Sequence, residues 1–202
     1  MLGTIYTTIL WLTQSIIAVS PTIELTDEQF FQLCQHNQDL RIERTAQGEL
    51  IIMPLAGWGS GSRNARLTAR LGNWTDSNGA GVAFDSSTGY KLPNGANRSP
   101  DGSWISRERL EALNPDPARF MPMPPDFAVE LRSATDGLRA TKRKMQEYLD
   151  CGVRLCWLID PQNQQVEIYR LGKDVEVLKS PASLFGEDVL PGFVLDLTGI
   201  LD

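Results

Sequence analysis

Apolar and polar positions alternate strictly over residues 126–133. Phe127, Val129 and Leu131 fall on one face of a strand, and Asp126, Ala128, Glu130 and Arg132 on the other. The period then changes. Residues 136–151 read as a helix whose apolar stripe is Leu138, Met145 and Leu149, with Thr141 and Tyr148 beside it. Glu130 therefore sits in mid-strand, where a carboxylate is rare and costly unless something pairs with it.

The same reading carried along the chain predicts alternating β and α elements. Thr26 caps a helix running to about Gln35, with Asp27 and Glu28 at its positive end. Residues 40–45 and 49–53 flank Ala46-Gln47-Gly48 as a hairpin. Residues 54–62 read as a Gly-rich loop, and residues 62–74 as a helix with Ala65, Leu67, Leu71 and Trp74 inward. Residues 81–86 form a strand, residues 89–92 and 98–105 a second hairpin, and residues 106–113 a short helix. The Pro-rich run 115–125 is a rigid surface connector. Gly152 ends the central helix. Residues 153–159 and 166–170 pair through a turn, residues 175–178 add an edge strand, and residues 190–197 close the domain. This order implies one sheet with helices packed on it.

With 202 residues the chain suffices for one well-buried domain, expected over residues 22–202. Residues 1–21 form an N-terminal extension, too short and too interrupted by Thr and Gln for a membrane span and without the basic start of a signal peptide. The net charge of -6 argues against broad binding to phosphate backbones. It leaves room for a nucleic-acid enzyme, because acidic metal ligands lower the net charge while a bound cation restores positive potential locally. Cys34, Cys151 and Cys156 show no CxxC spacing, so a reducing, cytoplasmic setting is expected. His36 is the single histidine, which excludes His-rich metal sites and reads as a surface residue.

Asp101 follows Pro100 and enters an extended segment. A strand carrying Asp101 beside the strand carrying Glu130 brings two carboxylates together, since neighbouring strands lie about 4.8 Å apart. Two carboxylates with water and a phosphate oxygen suit Mg²⁺. Asp126 lies roughly 13 Å from Glu130 along the strand and is expected to cap or to meet an arginine instead. Arg132 is two residues beyond Glu130; it stays protonated but can stabilise developing charge. On the helix, Lys144 and its rival Lys142 are candidates for an ammonium at the site. Spacing alone equally describes a solvated basic helix face and a Glu130 held in a buried ion pair.

The segments SPDGSWISRERLEAL, PPDFAVELRSATD, KMQEYLDCGVRLCWLIDPQNQQVEIYR and LPGFVLDL resemble the putative restriction endonuclease family abundant in cyanobacteria, part of the PD-(D/E)XK nuclease-like superfamily. The resemblance covers about residues 22–198. It implies an α/β (α+β) fold, a restriction-endonuclease-like mixed β-sheet flanked by helices with N-terminal β-hairpins. It also implies an endonuclease using Mg²⁺ to hydrolyse phosphodiester bonds of DNA, with Asp101 and Glu130 as metal ligands and Lys144 completing the catalytic set. Arg132, Lys142 and Glu49 are auxiliary candidates, and a homodimer is an expected assembly. One position departs from the pattern: GWGSGSRN places Gly59 where relatives carry a loop glutamate, which Glu49 would have to replace. The alternative reading is a degenerate nuclease fold that binds nucleic acid or a partner without cutting.

Overall fold

The computed structural model describes residues 24–202 and the backbone of a short strand at residues 15–17. In chain order the elements are β1 (Ser15–Ile17), α1 (Asp27–His36), β2 (Arg41–Arg44), β3 (Leu50–Met53), α2 (Trp58–Asn78), β4 (Gly81–Asp85), β5 (Tyr90–Lys91) and β6 (Asn97–Arg98). They continue with β7 (Gly102–Ser106), α3 (Arg107–Leu113), β8 (Phe127–Leu131), α4 (Leu138–Asp150), β9 (Leu155–Asp160), β10 (Gln165–Arg170), β11 (Glu176–Lys179), β12 (Ser183–Phe185) and β13 (Val194–Asp196). The N-terminal extension lies largely outside the described residues; its one described piece, β1, pairs antiparallel with β3.

The central sheet has the order β11-β10-β9-β8-β7-β4. Only β8 and β9 run parallel, joined by the α4 crossover; every other neighbour is antiparallel. Strands β8 and β9 are buried at every position, as expected for a sheet covered on both faces. On one face Phe127, Val129, Trp157 and Ile159 pack against Leu67 and Leu71 of α2 and against Phe193, Leu195 and Ile200 near the C-terminus. On the other face Ala128, Cys156 and Leu158 pack against Met145, Tyr148 and Leu149 of α4 and against Tyr90 and Leu92. A smaller sheet, β1-β3-β2-β6-β5, lies beside the first, and β12 pairs with β13.

Several helix ends follow from sequence. Thr26 and Gln29 form a reciprocal capping box at α1, and Ser106 caps α3. Helix α4 ends at Cys151, and Gly152 takes φ +95°. Helix α2 corrects the expected loop over residues 54–62. It begins at Trp58 and runs 21 residues despite Gly59, Gly61 and Gly72. Each glycine costs about 1 kcal/mol relative to alanine, and burial of Leu67 and Leu71 overrides that cost. The strand expected over residues 98–105 is also corrected: residues 99–101 carry the chain from the small sheet (β6) to the central sheet (β7). Strand β12 has no counterpart among the expected elements.

Gly81 is a close-approach position. A Cβ there would stand 2.3 Å from both the Ile105 carbonyl oxygen and Trp104 Cζ2. Gly81→Ala is expected to cost about 2–3 kcal/mol by forcing β4 away from β7, read as a lowered melting temperature.

Candidate active site

The end of β8 nearest the small sheet carries Glu130. The rung Gly102↔Val129 makes Asp101 and Glu130 the next pair of positions across β7 and β8. The Leu131 amide donates to Asp101 Oδ2 at 2.8 Å, which fixes the aspartate against β8. Its other oxygen is held loosely: Arg41 Nη1 and Nη2 lie 3.4 and 3.5 Å from Oδ1, beyond the best hydrogen-bond range. The bend at Pro100 makes this possible, because it keeps Ser99 extended and turns the chain between sheets.

Helix α4 delivers the cation from above. Lys144 Nζ sits 2.8 Å from Glu130 Oε1 and 2.9 Å from Glu43 Oε1. Tyr148, one turn on, donates to Glu130 Oε1 at 2.8 Å. Glu43 is fully committed: it also accepts from the Ser99 amide at 2.9 Å and from Arg98 Nη1 at 3.1 Å, while Arg98 Nε bonds Glu147 at 2.6 Å. Strand alternation explains the placement of Glu43. Arg41 and Glu43 share the face toward the site, whereas Arg44 on the opposite face reaches the Leu25 carbonyl and lies over the Phe30 ring.

Burial pushes the Glu130 carboxyl up to about 7, and the charges of Asp101 and Glu43 add to the rise against the pull of Lys144. Glu43 moves the other way: Lys144 and Arg98 outweigh its burial and hold it below the usual carboxylate range. Burial works against the Lys144 charge, but Glu130 and Glu43 overcome it and raise its pKa, so the ammonium stays charged. Four carboxylates (Glu43, Asp101, Glu130, Glu147) face three cations (Arg41, Arg98, Lys144), which leaves the cluster one negative charge in excess when all are ionised.

The remaining candidates are placed elsewhere. Arg132 Nη1 pairs with buried Asp160 at 3.0 Å, so it does not hold Glu130. Lys142 pairs with Glu167 at 2.6 Å on the β10 side of α4. Glu49 lies at the turn end of the β2–β3 hairpin, remote from Arg41 at its other end. Asp126 accepts from the Ser106 amide and pairs with Arg109 at 2.8 Å, so it meets a backbone group and an arginine, and the helix cap there is Ser106. Gly59 is in the first turn of α2 rather than in a loop, and a Cβ there would meet only Arg63 Nη1 at 3.5 Å. The acid that sequence reasoning missed is Glu43. Its signal was the same as for Glu130, a carboxylate in a short strand with a charged residue two places away.

The donor set can be tested against a hard cation. Among the described residues no hydrogen bond reaches Glu130 Oε2, and Asp101 Oδ1 has only the long contacts to Arg41. Glu130 Oε2 is thus open to a cation, Asp101 Oδ1 would have to exchange its contacts with Arg41, and among the described residues no group of three His, Cys, Asp or Glu that could hold a metal ion is found. With two carboxylates, an octahedral cation would need water and substrate oxygens to fill its shell.

No helix of the described residues is long and apolar enough to cross a membrane. No curated protein matches the chain. Among solved structures the fold is similar to that of a putative nuclease of the DUF820 family from Anabaena variabilis ATCC 29413. The TM-score is 0.75 at 19% identity, over 88% of this chain and 97% of that one. At that identity the likeness speaks for the fold. The Uma2 family model, described as putative restriction endonuclease, matches residues 27–198, from the first turn of α1 past β13, and on that span the chain belongs to the Uma2 family.

Proposed function

We propose that this protein is a metal-dependent DNA endonuclease whose centre is Asp101, Glu130 and Lys144. The observation that carries the reading is that Asp101, just before β7, is bonded to the β8 backbone beside Glu130, whose other neighbour is Lys144 of α4, with Glu130 Oε2 unbonded among the described residues and Asp101 Oδ1 held only by long contacts to Arg41. Family membership and the likeness to a putative nuclease support it. Asp101 Oδ1 and Glu130 Oε2 would hold Mg²⁺. When bound, the ion supplies Lewis-acid polarisation of a phosphate oxygen and a more acidic water.

The chain's own residues do the rest. Lys144 has three N–H donors and gives two to Glu130 and Glu43. The third is available to a non-bridging phosphate oxygen, whose charge grows as water attacks phosphorus and the bridging P–O bond breaks. Lys144 stays protonated, so it stabilises charge; the attacking water's proton passes to solvent, and the departing oxygen takes one from solvent. Tyr148 and Lys144 together occupy one oxygen of Glu130 and leave the other, which would hold the cation. Glu43, itself held by Arg98 and the Ser99 amide, fixes the ammonium in turn, and Arg98 acts through it. They are positioning residues that touch neither metal nor substrate.

Plasmid nicking in Mg²⁺ tests the proposal. Wild type is expected to convert supercoiled to open-circular DNA, EDTA to stop it, and Asp101→Asn to slow it by roughly 10²–10³-fold. Equal nicking by wild type and Asp101→Asn would reject the site. The rate should also rise with pH through about 7, because Glu130 ligates only as the anion. Raising Mg²⁺ should move that midpoint to lower pH.

A further inference from the structure

The two most exposed large apolar side chains among the described residues are Leu55 and Trp58, at 96% and 92% exposure. They belong to one segment, and both ends of that segment are tied to the proposed centre. At the leading end Met53 pairs across the hairpin with Arg41, whose guanidinium reaches the Ser99 carbonyl at 2.7 Å and stands by Asp101. At the trailing end Asn64 bonds Ser86 at 3.4 Å; Ser86 accepts from Ser99 Oγ at 2.6 Å, and the Ser99 amide bonds Glu43. Residues 54–63 therefore leave the site and return to it, forming its rim. Residues 54–58 are all exposed, and a Cβ added at Gly57 or Gly61 would meet nothing within 4 Å.

An indole held in solvent at the mouth of a site needs a partner. Packing explains neither Trp58 nor Leu55, whereas Leu67 and Leu71 later in the same helix are 1% exposed. An exposed aromatic side chain at the mouth of a site that would take a phosphodiester fits nucleic acid, whose bases offer a face to stack on.

Resting on the nuclease reading above, we infer that Trp58 stacks on a nucleobase of duplex DNA unstacked beside the scissile phosphate. The contact needs no particular base, because every base offers a π-face. It releases no counterions, so it adds affinity without adding salt dependence.

The test uses the full chain, a fluorescein-labelled duplex read by anisotropy in Ca²⁺, and a duplex carrying 2-aminopurine. Trp58→Ala is expected to weaken binding roughly ten-fold. The slope of log affinity against log salt should stay unchanged, Trp58→Phe should recover most of the loss, and the wild type alone should brighten 2-aminopurine. Since the side chain is exposed, the melting temperature should not move. Wild-type affinity and 2-aminopurine signal in Trp58→Ala would overturn the inference while leaving the nuclease reading intact if plasmid is still nicked. Trp58-dependent stacking in a protein that never nicks would keep the contact and sink the nuclease reading. A wild-type dimer in sedimentation without DNA that Trp58→Ala dissociates would assign the rim to a second copy and overturn the inference.

Discussion

Glu130→Gln is expected to abolish nicking and leave the metal-free fold as stable as wild type or more so. The two effects have one cause. Glu130 is buried beside Asp101 and Glu43, and its carboxyl is pushed from an ordinary value near 4.5 up to about 7. A carboxyl whose folded pKa is raised binds more protons when folded than when unfolded between those two values. Stability then falls as pH rises through the window from about 4.5 to 7. Glutamine keeps an oxygen for the Tyr148 hydroxyl and removes the buried charge. Without metal, the wild type should lose melting temperature between pH 5 and 8, and the variant should lose less, ending a few degrees higher at pH 8. Mg²⁺ should raise the melting temperature of the wild type and not that of the variant, because binding to the native state alone stabilises it. Activity should fall by roughly 10²–10³-fold or more, as for loss of a group that fixes the charge-stabilising machinery. A residue that was merely structural would behave in the opposite way, losing stability with the carboxylate.

Lys144→Met should instead cost both stability and activity. Lys144 is the one ammonium shared by Glu43 and Glu130, at 2.9 and 2.8 Å, with 14% of its side chain exposed. Removing it leaves two buried carboxylates facing each other. Breaking a buried pair this way costs about 3 kcal/mol, or roughly 10 °C in melting temperature for a chain of this size. Both carboxyls would then hold protons more tightly, so the deficit should be larger at pH 8 than at pH 6. Lys144→Arg should recover part of the stability but not the nicking rate, since a planar guanidinium cannot place three donors as the ammonium does. If Lys144→Met melts and nicks like wild type, the ammonium has no part in the centre.

Much of this arrangement was legible along the chain. Glu130 announced itself as a charge inside an alternating apolar strand, and its neighbours Phe127, Val129 and Leu131 do face the α2 side of the sheet while Ala128 faces α4. Thr26, Ser106 and Gly152 marked helix ends through local chemistry that tertiary structure left alone. What stayed hidden was nonlocal. Nothing in residues 98–105 says that hydrogen-bond partners change at Pro100, because the choice of sheet is made by strands far away in sequence. The cap Gly57 with Gly59 and Gly61 hid the first turns of α2, since its stability comes from Leu67 and Leu71 packing on the sheet rather than from propensity. Glu43 was passed over because a four-residue strand gives too short an alternation to assign a face. Arg132 and Lys142 looked equivalent to Lys144 in spacing; their partners Asp160 and Glu167 come from β9 and β10, which only folding brings near.

The account can be met head-on by anomalous diffraction from crystals soaked in Mn²⁺, a stand-in for Mg²⁺ with its own signal. One peak is expected between Asp101 Oδ1 and Glu130 Oε2, about 2.1 Å from each, lost in Glu130→Gln. A fully occupied peak elsewhere, or none at this position in a protein that nicks DNA in the same buffer, would contradict it.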